Sequence, residues 1–324
     1  MILEPAVQAH LDAADPRVFA ATDMITRRRL LRVEIDRIFR LFGLPGPLVH
    51  EIRDHHVPVD GGTVLLRSYH PSPDADLPAH ILLHGGGWTT GSIEELVSDA
   101  TARHRAVTAN CVTILVEYRL APEFPFPTAV HDTAAAIRWV RRHSDQLGVD
   151  PAVITVGGAS AGANLAAAAL VAEPGLDLTA LLLEVPALDL RLAPEHPPGV
   201  LGTAGDPIAD SLRHELAAVV DNYLDGDETL THSPLVSPVL ADDLRSFPET
   251  HLFTAEYDPL RDGAELFADR LRDAGVPVTS TCYPGALHGS AILTASWPTA
   301  RRWHDDVLAV LGDIHHRAGK KLRK

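Results

Sequence analysis

Gly158-Ala159-Ser160-Ala161-Gly162, preceded by the apolar run Ile154-Thr155-Val156 and followed by an alanine-rich stretch, decides the fold. The apolar run reads as a short buried strand and residues 161–172 as a helix, so the pentapeptide is a strand-to-helix turn. A turn this sharp needs tiny flanks, and Gly158, Gly162 and Ala163 supply them. The serine at its tip is exposed at a helix N-terminus, where the Ala161 N–H and the helix dipole favour developing negative charge. A glycine-rich helix start that only packs close to a sheet is the plainer alternative for these five residues alone.

The surrounding chain supplies the context. Residues 16–43 look helical, with Leu31, Ile35, Ile38 and Phe42 at helical spacing before Gly43 and Pro45. Alternating strands at 56–58 and 64–69 flank Asp60-Gly61-Gly62. Residues 81–83 and 112–116 are buried strands, 128–146 a helix, and 153–156, 181–185 and 252–254 further strands. A helix ends at Ala274-Gly275, a strand covers 278–283, and a last helix carries Trp303, Val307, Leu311 and Ile314. Strands alternating with helices give an α/β fold, a mostly parallel sheet covered on both faces. Residues 1–45 and 188–232 break the alternation; the simplest account places both over the carboxyl ends of the strands as a helical cap.

Ser160 becomes a nucleophile only when a base takes its proton, and that base needs an acid to hold its tautomer. Of 18 histidines, His288 alone follows a late strand through a Pro-Gly loop and directly precedes a glycine. His232, His251 and His315 fall in the cap, at a strand start and on the last helix, and are weaker candidates. The acid belongs after the preceding strand, which ends in Glu256-Tyr257-Asp258-Pro259 and points to Asp258. Asp262 fits a first-turn dipole role better. Serine, acid, histidine is the α/β-hydrolase order. His84-Gly85-Gly86-Gly87-Trp88 follows an earlier strand; without Cβ atoms this loop can aim backbone N–H groups at a carbonyl oxygen. His84 reads as loop support. No Gly-Lys-Ser follows the triplet, which excludes a phosphate loop.

Bulk properties exclude other classes. The formal charge of −15 repels polyanions, so nucleic acid is not an expected partner and a neutral acyl substrate is. No apolar run is long enough to span a bilayer, and no signal pattern opens the chain, so a cytoplasmic protein without a membrane partner is expected. Asp54-His55-His56 has no further ligand cluster in register, so no metal is expected. Cys111 and Cys282 each fall inside an expected strand and read as core packing.

With these motifs in place, the chain resembles the hormone-sensitive-lipase-like family of α/β-hydrolases, the bacterial family IV esterases, over roughly residues 60–312. The resemblance rests on the segments above, on Tyr118-Arg119-Leu120-Ala121-Pro122-Glu123-Phe124-Pro125-Phe126-Pro127 and on Ser233-Pro234-Leu235. It implies an eight-stranded sheet with a helical cap, Ser160 as nucleophile, His288 as base and Asp258 as acid. It also implies the amides of Gly86, Gly87 and Ala161 as oxyanion donors, with Gly85 a lesser candidate. Three departures stand out: Ala159 where the family has Asp, Ala163 where it has Gly, and Ser290 where an aromatic is common. They touch the pocket and its supports and leave the triad intact. The Tyr-Arg-Leu-Ala-Pro-Glu string marks the family but has no catalytic logic of its own.

The division expected is an N-terminal cap at 1–45, hydrolase core at 46–187, inserted cap at 188–232 and core again at 233–324. The expected activity is cofactor-free hydrolysis of soluble carboxylic esters through an acyl-enzyme, with Trp88 walling the acyl pocket beside Ala159. Acyl transfer and amide or lactone cleavage share the same intermediate. A small-molecule receptor, a class that loses a triad member, is disfavoured by the presence of all three. Homo-oligomerisation stays open.

Overall fold

The computed structural model describes residues 4–13, 23–191 and 207–322. Eight strands form one sheet: β1 (Glu51–Val59), β2 (Gly62–His70), β3 (Leu77–Leu83), β4 (Val112–Glu117), β5 (Val149–Ala159), β6 (Ala180–Glu184), β7 (Glu249–Tyr257) and β8 (Val278–Leu287). Their order is β1-β2-β4-β3-β5-β6-β7-β8. β2 pairs antiparallel with both β1 and β4, and every pairing from β4 to β8 is parallel. Parallel pairing brings the ends of β3, β5, β7 and β8 to one edge, where open α/β sheets bind ligands.

Helices cover both faces. α1 (Pro5–Ala13), α2 (Met24–Phe42), α3 (Leu96–Thr108), α4 (Thr128–Arg142), α5 (Ala161–Ala172), α6 (Pro207–Leu224), α7 (Arg261–Asp273) and α8 (Pro298–Leu322) follow in chain order. Successive β6 residues show the layering. Leu181 and Leu183 pack with α4, α5 and α7, while Ala180 and Leu182 pack with α8. A strand buried on both faces reads as an unbroken apolar run, as this one does.

Several boundaries differ from expectation. The helix expected over 16–43 starts at Met24, with the Asp23 carboxylate capping the Thr26 N–H at 2.8 Å; residues 16–22 lie outside the described residues. α1 had no periodic signal, since it buries only Val7. α3 was missed for the same reason: it packs through Ala100, Ala102 and Ala106 rather than through large apolar side chains. The helix expected over 128–146 breaks at His143, whose ring bonds the Trp139 carbonyl, before a single turn at Ser144–Leu147. β8 runs four residues beyond Tyr283 to Leu287, and the Gly285 N–H exposed by the Pro284-Gly285 bend is satisfied by the Glu256 carboxylate at 2.7 Å. Cys111 is buried as expected, but Cys282 is exposed because β8 is an edge strand.

Candidate active site

β5 ends at Ala159, and Ser160 takes φ +53° and ψ −115° before α5 begins at Ala161. A side chain in that region of backbone space is strained and persists only where its surroundings hold it. Here the Ser160 N–H bonds the Glu184 carbonyl at 2.8 Å, carrying the β5–β6 ladder through the serine itself. The small flanks are required. A Cβ on Gly158 would strike the backbone of Gly162, and one on Gly162 would strike the carbonyls of Leu83 and His84.

The other two residues arrive from β7 and β8. Tyr257 and Leu287 are register partners, so Asp258 and His288 leave adjacent strands side by side. His288 Nδ1 lies 2.8 Å from Asp258 Oδ2, and His288 Nε2 lies 3.0 Å from Ser160 Oγ. Asp258 is 1 % exposed, and its second oxygen accepts the Leu260 N–H at 2.9 Å. A carboxylate at Nδ1 puts the ring proton there and leaves the Nε2 lone pair toward the serine. Burial pulls the His288 pKa down, but the Asp258 charge and hydrogen bond more than offset it, so the net shift is upward from 6.5. Ser290 Oγ bridges the Leu287 N–H and carbonyl at 3.0 and 2.9 Å, so this departure from the family pattern holds the histidine loop.

The rival residues have other partners. Glu256 accepts from Gly285, His251 meets Glu249 and Thr279, and His315 is buried against Thr155. His232 lies in a short turn beside Thr231. Asp54 pairs with Arg67, and His55 bonds Ser68; among the described residues no group of three or more His, Cys, Asp or Glu could hold a metal.

The glycine loop lies against the serine, with an added Cβ on Gly85 only 3.7 Å from that of Ser160. Gly86 has φ +117°, and its carbonyl accepts from the Thr90 N–H and hydroxyl at 2.9 and 2.8 Å. Among the described residues the N–H groups of Gly86 and Gly87 have no acceptor, and Ala161, first in its helix, has none within it. Buried His84 is held neutral, and its Nδ1–H reaches the Gly85 carbonyl at 2.7 Å.

The Tyr-Arg-Leu-Ala-Pro-Glu string turns out to brace this loop. The Tyr118 ring stacks on His84 at 4.2 Å, and its hydroxyl donates to the His84 carbonyl at 2.8 Å. Ala121 N–H bonds the Trp88 carbonyl at 3.0 Å, and Arg119 is anchored by buried Asp132. Sequence reasoning missed Arg28 altogether. From α2 it donates to the carbonyls of Thr89 and Ala121, both at 2.7 Å, and forks onto Glu123 at 2.6 and 2.8 Å. Glu184 was hidden in an apolar strand; its carboxylate pairs with buried Arg105 and accepts from Trp303 Nε1 at 3.0 Å beneath the elbow.

Trp88 needs correction. Its ring is 2 % exposed and stacks on Tyr223 of α6 at 4.4 Å, so it packs beneath α6 and does not face an open pocket. Ala159 is half-buried at the strand tip. The cavity beside the loop is lined instead by residues of α2 and α6, including Met24, Leu31 and Val219, together with Gly86 and Gly87.

Comparison with known proteins identifies the family. A family described as the alpha/beta hydrolase fold matches residues 80–292. The chain is 36 % identical to an arylesterase of Saccharolobus solfataricus, over 84 % of this chain and 86 % of that one. It is 34 % identical to the carboxylesterase NlhH of Mycobacterium tuberculosis, over 97 % of both chains. The structure of a Pyrobaculum calidifontis esterase superposes with a TM-score of 0.81 at 30 % identity, covering 97 % of this chain and 99 % of that one. The chain belongs to the hormone-sensitive-lipase-like family of α/β-hydrolases and is a carboxylic ester hydrolase.

Proposed function

We propose that Ser160 attacks the ester carbonyl with His288 as base and Asp258 as orienting acid, forming an acyl-enzyme that water then cleaves. The unbroken chain from Ser160 Oγ through His288 to Asp258, at 3.0 and 2.8 Å, carries this reading. As the Oγ–carbon bond forms, the serine proton moves to His288 Nε2, and the imidazolium is stabilised by Asp258. The tetrahedral oxyanion is received by the amides of Gly86, Gly87 and Ala161. His288 then protonates the departing alkoxide, and the acyl group remains on Ser160. Water repeats the sequence, with the proton travelling the same path.

The preferred substrates are soluble esters with acyl chains of roughly two to eight carbons. A cavity of about 120 Å³ beside the glycine loop supports short chains, since drug-sized sites run to roughly 300–1,000 Å³. Each buried methylene adds only about 0.8 kcal/mol until the wall is met. The division into core and cap at 1–45 and 188–232 is part of the proposal, supported by α2 and α6 lying over the loop. So is cytoplasmic residence, supported by the free exposed thiol of Cys282. A p-nitrophenyl ester series assayed below and above substrate solubility tests the chain-length reading. Rates that peak at short chains support it; rates that climb to long chains or jump as an emulsion forms overturn it.

A further inference from the structure

Among the described residues, the cavity beside the glycine loop is lined by one charged residue. Its lining is Met24, Arg27 and Leu31 from α2, Ala218, Val219 and Asn222 from α6, and Gly86, Gly87, Thr89 and Thr90 from the loop between. No carboxylate is among these. Arg27 is half-buried and, among the described residues, has neither an ion-pair partner nor a side-chain hydrogen bond. Its neighbours differ. Arg28 is fastened to Thr89, Ala121 and Glu123, Arg32 pairs with Glu94, and Arg29 is exposed. The Arg28 clamp fixes α2 against the loop and thereby holds Arg27 over the cavity.

A half-buried guanidinium without a carboxylate loses hydration that nothing returns, unless an anion enters beside it. The surrounding protein carries a formal charge of −15, which by itself repels anionic molecules. A cation lining the same cavity as Gly86 and Gly87 offsets that repulsion locally.

We propose that Arg27 is a specificity-determining residue that selects esters carrying a carboxylate a few carbons from the scissile bond. The remaining wall suits such a chain. Met24, Leu31, Ala218 and Val219 pack its methylenes, while Thr89, Thr90 and Asn222 offer neutral polar groups beside the guanidinium. The inference rests on the proposed reading of the loop as the place where the ester carbonyl docks. Discrimination through a charge distant from the reacting atoms is made alike in ground and transition states, and so appears in KM.

The test uses two matched pairs, because either half of the ester fits this chemistry. Acyl-side selection is read with p-nitrophenyl hemiglutarate against p-nitrophenyl pentanoate. Alcohol-side selection is read with 4-acetoxybutyrate against butyl acetate in a pH-stat. In Arg27→Gln the ratio of kcat/KM for anionic over neutral substrate falls about tenfold in one pair, mainly through KM. Arg27→Lys keeps part of the preference, and raising salt lowers the wild-type ratio. Ratios unchanged by Arg27→Gln in both pairs, with the neutral esters still turned over, overturn this inference alone. A wild-type protein inactive on the neutral esters as well overturns the proposed mechanism beneath it.

Discussion

The two sides of the cleft are built on different principles. Below, each member of the Ser160–His288–Asp258 chain continues a strand of the parallel sheet, and neighbouring ladders set its position. Above, α2 and α6 meet the glycine loop through side chains. Arg28 clamps two carbonyls, Tyr223 stacks on Trp88, and Val219 fills the space a Cβ on Gly87 would need. Backbone-built geometry tolerates little variation and carries the proposed chemistry. Side-chain-built geometry can change residue by residue, and it decides what reaches that chemistry.

The largest effect therefore belongs below. Asp258→Asn leaves the fold intact but removes the group that sets the His288 tautomer, and kcat falls about 10⁴-fold. The pH profile sharpens this. His288 must be neutral to take the serine proton, and its pKa is raised from 6.5, so wild-type activity rises with pH through a midpoint above that value. Without the Asp258 charge only the downward pull of burial remains, and the residual activity of the variant has its midpoint below 6.5. A variant keeping a tenth of wild-type activity would mean that another acid holds the histidine.

Next comes the loop where the two sides meet. A Cβ on Gly86 would collide with the Thr90 carbonyl, at a φ of +117° that side chains rarely adopt. Gly86→Ala displaces the proposed oxyanion donors and lowers kcat by about 10²–10³-fold, with circular dichroism unchanged. Activity within a factor of about three of wild type would remove Gly86 from that role.

Arg28→Ala probes the α2–loop contact alone. Loss of its charged hydrogen bonds lets α2 and the loop drift, lowering kcat/KM by about 10- to 30-fold. The Ser160–His288–Asp258 chain does not touch Arg28, so reaction with a small fluorophosphonate persists. Equal loss of both would show that the α2–loop contact and the Ser160–His288–Asp258 chain act as one unit.

The smallest effect concerns stability where α2 meets the start of α3. Asp36 of α2 accepts the Leu96 N–H at the start of α3, and buried Glu95 lies beside it. Burial, with Asp36 and Glu117 nearby and Arg32 opposing, pushes the Glu95 carboxyl from 4.5 up to about 7. A raised carboxyl binds its proton more tightly in the folded state. Its contribution is full below about pH 4.5 and is lost as pH rises through about 7. Glu95→Gln flattens this fall by on the order of 1–3 kcal/mol, read by urea denaturation at pH 5 and pH 8. An identical pH dependence in the variant would place that charge elsewhere.

The same division explains what the sequence made legible. Ser160, Asp258 and His288 stand out because a sharp turn, a strand end and a glycine-flanked loop each demand particular residues at particular spacings. α1 and α2 show little of this. α1 buries a single residue, and Arg28 lies in a run of arginines whose members have the same appearance but different partners. Trp88 was legible as important but not as to its direction, since its stacking partner Tyr223 is 135 residues away on α6, a distance that follows from their numbers. The Tyr118–Glu123 string could be recognised by resemblance but not explained, because its purpose is to brace a loop some thirty residues upstream.

The central claim is that Ser160 is the nucleophile, and covalent capture tests it most directly. Titration with a fluorophosphonate, followed by intact-mass and peptide mass spectrometry, should show one adduct per chain, located on Ser160. Esterase activity should fall in proportion to the adduct, and Ser160→Ala should neither label nor turn over ester. An adduct on another residue that tracks the loss of activity, or full activity in a chain stoichiometrically labelled at Ser160, would contradict the account.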